Sequence, residues 1–184
     1  MKKQLVSILF ALCMVLCLVP LAAFAEGETE KVQEVTNQTD LFNAVADNAV
    51  TTVKLAANID VSSSLTVRRT VTLDLNGHVL KYESANKGSV IVVENGGQLT
   101  IEDSNTSKPS HKFMPNGKLW VLDDASGTEA VTGGVITGGT GTDLSTYGGT
   151  TWYCGGALIK NGGSLTMRGG NIIGCSAECG GGVC

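Results

Sequence analysis

Asn161-Gly162-Gly163-Ser164-Leu165-Thr166-Met167, followed by Gly169-Gly170-Asn171-Ile172-Ile173, decides the fold of this chain. Its first half is already present upstream as Asn95-Gly96-Gly97-Gln98-Leu99-Thr100-Ile101, and its second half echoes Gly133-Gly134-Val135-Ile136-Thr137. A recurring Gly-Gly corner followed by a short alternating apolar strand marks a chain that coils. Each coil is too small to bury its own apolar face, so neighbours must stack.

Working outward, the same alternation fills the stretch from Thr52 onward. Val53-Lys54-Leu55, Ser64-Leu65-Thr66-Val67, Thr70-Val71-Thr72-Leu73-Asp74-Leu75 and Val79-Leu80-Lys81-Tyr82 alternate apolar with polar and are separated by Asn, Gly and Ser. Ser89 to Val93, Lys118 to Leu122 and Ala157 to Lys160 continue the series, while Asp103 to Gly117 reads as an insertion loop. Leu73-Asp74-Leu75 aligns with Leu99-Thr100-Ile101 at an offset of 26, and Cys154-Gly155-Gly156-Ala157-Leu158 with Cys179-Gly180-Gly181-Gly182-Val183 at 25. A mid-twenties period with three short strands and Gly/Asn corners predicts an all-β right-handed parallel β-helix over 52–184. Inward Leu, Val and Ile would stack on their counterparts about 4.8 Å away. The Asn-Gly-Gly copies lie 66 residues apart, a spacing that leaves room for intervening coils and two insertions.

Ahead of the coils, Lys2 and Lys3 precede an apolar run from Leu5 to Leu21, and Ala23-Phe24-Ala25 offers small residues for cleavage before Glu26. Residues 1–25 therefore read as a signal peptide, and the mature chain has no membrane span. Removing 25 residues from 184 leaves 159, enough for one domain. All 17 acidic residues remain but Lys2 and Lys3 are lost from the 13 basic ones, so the mature charge is near −6. That excludes nucleic acid and anionic membrane surfaces as partners. Residues 26–38 are polar without periodicity and read as a flexible leader. Thr39-Asp40 followed by Leu41, Phe42, Ala44, Val45 and Ala49 predicts one capping helix over 39–51, which would cover the first sheet edges.

Thr70-Val71-Thr72-Leu73-Asp74-Leu75-Asn76-Gly77-His78, Gly96-Gly97-Gln98-Leu99-Thr100-Ile101-Glu102-Asp103-Ser104 and the Gly-Gly-x-Ile coils together resemble the secreted β-helix proteins of gut-type bacteria, adhesin-like members of the pectin-lyase-like superfold. The resemblance covers nearly all of the mature chain. It implies a secreted or cell-surface scaffold presenting loops to glycans or to host or surface proteins. It also raises a polysaccharide lyase or glycoside hydrolase as the alternative, because one fold hosts many activities.

A lyase needs an Arg or Lys base and commonly a Ca²⁺ held by carboxylates from successive coils. Asp74 aligns with Thr100 rather than with another acid, Asp123-Asp124 sit at a strand end, and Arg68-Arg69 and Arg168 have no acidic cluster beside them in sequence. His78 lies in an Asn-Gly-His turn and His111 in the insertion, neither with a nucleophile partner. No catalytic residue, metal or cofactor is assigned. Tyr147, Trp152 and Tyr153, in or beside the Gly/Thr/Ser-rich stretch 140–151, are candidates for stacking on sugar faces, or Trp152 and Tyr153 start a strand against the core. Trp120 is expected in the core.

The mature cysteines, Cys154, Cys175, Cys179 and Cys184, crowd the last 31 positions, and their spacings do not match paired zinc knuckles. Cys154 and Cys179 occupy equivalent positions one coil apart, which would bring their Cα atoms within the roughly 4.4–6.8 Å disulfide window. A disulfide or a pair of stacked thiols is expected there. The chain stops at Gly182-Val183-Cys184, part-way into a coil whose counterpart continues as Leu158-Ile159-Lys160-Asn161. With no polar cap in sight, the coils are expected to be truncated, as the N-terminal piece of a longer protein.

Overall fold

The computed structural model describes residues 30–105, 110–144 and 151–184; the expected signal peptide and Tyr147 lie outside them. The described residues are all-β with a single helix. The first circuit of the chain runs β1 (Val32–Val35), α1 (Gln38–Ala46), β2 (Thr52–Leu55), β3 (Ile59–Val61) and β4 (Leu65–Val67). Each of these later strands is three or four residues long and buries alternate side chains: Val53 and Leu55, Ile59 and Val61, Leu65 and Val67. Strands this short cannot stand alone, and they pair with the next passage of the chain instead.

That passage supplies β5 (Thr70–Asp74), β6 (Val79–Tyr82) and β7 (Ile91–Val93), and later passages supply β8 (Gln98–Glu102), β12 (Val135–Thr137), β15 (Ala157–Ile159), β16 (Ser164–Met167) and β17 (Asn171–Ile172). Three short sheets result, each wholly parallel. The first is ordered β1-β2-β5-β8-β16, the second β17-β12-β6-β3 and the third β15-β7-β4. The chain visits them in rotation, and their inner faces enclose the core. Val53, Leu73, Ile101 and Met167 face one another across four strands of the first sheet. Ile59, Leu80 and Ile136 do so in the second, and Leu65, Ile91 and Ala157 in the third.

The register corrects the expected period. Thr52 pairs with Thr72, Thr72 with Thr100 and Thr100 with Thr166, so successive circuits are 20, 28 and 66 residues long. The two Asn-Gly-Gly copies are therefore on adjacent strands, and no circuit intervenes: Gly96 N–H donates to the Gly162 carbonyl at 3.0 Å. Glycine and asparagine mark where a corner falls, and they carry no information on the length of chain between corners.

Two other expectations change near the N-terminus. Within the expected flexible leader, Val32–Val35 is a strand that pairs with β2 and buries Val35. The helix spans Gln38–Ala46 instead of 39–51, because Asn37 rather than Thr39 or Asp40 is its N-cap, accepting from the Asp40 N–H at 3.0 Å. It buries Leu41, Ala44 and Val45. Arg69 fastens its far end, donating from Nε to the Val45 carbonyl at 2.7 Å and from Nη2 to the Ala44 carbonyl at 3.0 Å. Those are helix carbonyls that lack partners of their own within the helix.

The expected insertion loop is an ordered arm. β9 (Ser110–Asn116), β10 (Leu119–Leu122) and β11 (Glu129–Thr132) form an antiparallel sheet in the order β10-β9-β11. Phe113 is buried with Val79 and Val135, and Leu122, Val131 and Ile173 pack around them. The buried His111 donates from Nε2 to the Gly77 carbonyl at 2.9 Å. Trp120, expected in the core, lies on β10 and is 43% exposed. Its alternating neighbours belong to a hairpin outside the three parallel sheets.

Candidate functional site

The acidic residues are the first place to look for chemistry. With an offset of 28 in place of 26, Asp74 stands opposite Glu102, not Thr100, so two carboxylates are stacked after all. Both are engaged. Asp74 Oδ1 accepts from the Asn76 and Ser104 N–H groups at 2.9 and 2.8 Å, and Lys54 Nζ lies 3.7 Å from its Oδ2. Glu102 pairs with Arg168 at 3.0 Å. Burial opposes ionisation of Asp74, but the bonds from Ser104 and Asn76 and the charge of Lys54 outweigh it and hold its pKa below the ordinary value.

Asp103 accepts from the Gly77 and Gly134 N–H groups, both at 2.7 Å, and so ties two corners together. Asp123 and Asp124 accept from Ser126 and Lys112 N–H groups at 2.9 and 2.7 Å. His78 is held below its usual pKa by burial and by the neighbouring His111. Among the described residues no three His, Cys, Asp or Glu side chains are grouped to hold a metal ion. The carboxylates that drew attention in sequence are clamps on turns.

The aromatic residues give a different picture. β13 (Thr142–Asp143) and β14 (Trp152–Tyr153) form a small antiparallel ladder, Thr142 opposite Tyr153 and Asp143 opposite Trp152. Adjacent strand residues point to opposite faces. Tyr153 packs on the cluster of Val92, Cys154 and Leu158. Trp152 lines an open groove of about 260 Å³ together with Lys87, Thr140, Ser176, Ala177 and Glu178. Lys87 Nζ sits 4.6 Å from the centroid of the Trp152 ring, a cation–π distance.

Several bonds make this groove rigid. The Trp152 carbonyl accepts from Glu178 and Cys179 N–H groups at 3.0 and 3.1 Å, which pins one wall to the other. Gly141 has φ +89° and sits against Ala177 and Trp152, where any side chain would push the walls apart. Beneath the ladder the fully buried Ser89 bonds its hydroxyl to Thr142 Oγ1 at 2.7 Å and also donates to the Cys154 carbonyl. Of the three sequence candidates, Trp152 lines the groove, Tyr153 is a packing residue and Tyr147 lies outside the described residues. Lys87 and Glu178 escaped the sequence reading. They are 65 and 26 residues from Trp152, and no local motif links them.

A larger open depression of about 730 Å³ lies beside the helix end, bordered by Asn48, Thr51, Thr52, Arg69 and Thr72. Its arginine is committed to carbonyl oxygens, with Nη1 donating to Thr70 at 2.9 Å besides the two helix contacts. It offers no free charge for a ligand.

The expected pairing of Cys154 with Cys179 is corrected. Cys179 bridges to Tyr153, one residue out of the expected alignment, and it is an exposed free thiol. The disulfide joins Cys154 to Cys184, with Cα atoms 5.5 Å apart. The remaining cysteine, Cys175, is a free thiol whose pKa burial pushes up to about 11, which makes it an inert packing group.

Comparison with known families fits this arrangement. Residues 32–132 match the family model described as "Putative pectate lyase-like adhesive domain", more than half of the chain. The chain belongs to that family. No curated protein and no solved structure matches it. The adhesive-domain match runs from β1 to the end of the arm, so it takes in the helix, the first circuits and Phe113, while the Trp152 groove lies downstream of it. No helix among the described residues is long and apolar enough to cross a membrane.

Proposed function

We propose that this protein is a secreted or cell-surface adhesive module, a right-handed parallel β-helix that binds glycans and carries out no chemistry. In this reading residues 1–25 are a signal peptide removed on export, the helix caps the first circuit, and the stacked circuits are a stiff scaffold for surface loops. The rotation of the chain through three parallel sheets supports the β-helix, and membership of an adhesive-domain family supports adhesion. The carrying observation is the Trp152 groove. A flat aromatic ring flanked by hydroxyl groups and by one charge of each sign is suited to a sugar, whose apolar face can lie on the ring while its hydroxyls bond to the rim.

The test is a glycan array probed with the purified wild-type protein and with Trp152→Ala. Binding to a defined set of glycans is expected for the first and its loss for the second. Wild-type protein that binds no glycan would sink the proposal. Cleavage of a bound polysaccharide, seen as new reducing ends, would contradict the non-catalytic part.

A further inference from the structure

Resting on that reading, we infer that the Trp152 groove takes a neutral pyranose oligosaccharide and rejects polyuronates and other polyanionic glycans. Three observations converge. Lys87 is the cation of the groove and Glu178 lines the same groove, so its formal charge is zero. The whole chain carries a formal charge of −4, which repels an approaching polyanion.

The third observation is that cations elsewhere on the scaffold are spoken for. Five lysine and arginine side chains stand in ion pairs with carboxylates, among them Lys160 with Glu94 at 2.9 Å and Arg168 with Glu102 at 3.0 Å. Arg69 is consumed by three backbone carbonyls. A chain with one carboxylate on every sugar would need a row of free cations along its path, because each charge that loses water without a partner is costly. Trp152 and the hydroxyl groups of Thr140 and Ser176 offer what a neutral sugar uses instead: a face to stack on and bonds to its hydroxyls. Lys87 has a second role here. Its ammonium lies over the ring, so it occupies a face that a sugar would take, and a ligand must displace it.

The experiment is isothermal titration of the full protein with a panel of neutral hexaoses (cellohexaose, mannohexaose, xylohexaose and laminarihexaose) and with hexagalacturonate, at low and high salt. At least one neutral hexaose should bind, with affinity indifferent to salt, and hexagalacturonate should not. Trp152→Ala should weaken that binding by about tenfold or more, the loss expected on removing one stacked ring. Trp152→Phe, which keeps a ring, should retain most of it and guards against mere misfolding. Lys87→Ala should bind the neutral hexaose at least as tightly as the wild type, because it uncovers the ring.

Hexagalacturonate binding that weakens with salt and with Lys87→Ala would overturn the neutral-sugar inference while leaving glycan binding intact. Neutral binding untouched by Trp152→Ala would overturn the assignment of the site. Binding of neither class would overturn both this inference and the glycan reading beneath it.

Discussion

Asp74 shows how far a single side chain can be read from sequence. Its place in an alternating strand, Thr70 to Leu75, is legible, and so is the Asn-Gly turn that follows. Its neighbour was not: a two-residue error in offset replaced Glu102 with Thr100, because both alignments put apolar residues on apolar residues. Only the backbone register distinguishes them. The role of the carboxylate follows from that register, since Ser104, which donates to it, is carried there by the next circuit. Because its folded pKa is lowered, Asp74 contributes stability above its unfolded pKa of about 3.9, and that contribution is lost as pH falls through the folded value. Asp74→Asn is therefore expected to lower Tm at neutral pH, with the gap to wild type closing as the solution is acidified below the ordinary aspartate range. A gap that stays constant across a thermal melt series from neutral to strongly acidic pH would contradict this.

At the scale of the element, strands with two-residue alternation and the one helix were visible, and the arm was not. The stretch Ser110 to Asn116 contains Pro115, which argues against a central strand. Yet β9 is flanked by β10 on one side and β11 on the other. The structure resolves the conflict by letting β11 reach only as far as Phe113, so at Pro115 β9 is flanked by β10 alone. The turn after it uses Gly117 at φ +64°, the kind of residue a two-residue hairpin requires. Nothing local reveals that Phe113 is the anchor, because its partners Val79 and Val135 come from two other circuits. Phe113→Ala should cost about 3 kcal/mol of docking free energy. We expect the arm to become sensitive to limited proteolysis while the amides of the parallel sheets keep their hydrogen-exchange protection. Loss of protection throughout would mean that arm and sheets unfold as one unit.

At the scale of the whole molecule, the Gly-Gly corners and the short apolar strands between them were sufficient to predict an all-β chain that returns on itself. They were insufficient to place the groove, since Lys87, Trp152 and Glu178 meet only after the longest circuit has closed. The unequal circuits also have a consequence in time. Bringing Thr100 beside Thr166 closes 66 residues, whereas bringing Thr52 beside Thr72 closes 20, and the entropic penalty of the longer closure is about 1 kcal/mol greater. The closing ends of the short circuit also find their buried partners, Val53 and Leu73, without waiting for any other part of the chain. Folding should then begin at the helix-bearing end and finish at β16, so that pulse-labelling exchange finds the Val53 and Leu73 amides protected before that of Leu165. The reverse order would show that the arm or the disulfide-linked end nucleates instead. On this account the ligand groove is the last thing the molecule builds, and a chain caught early in folding is a scaffold that does not yet adhere.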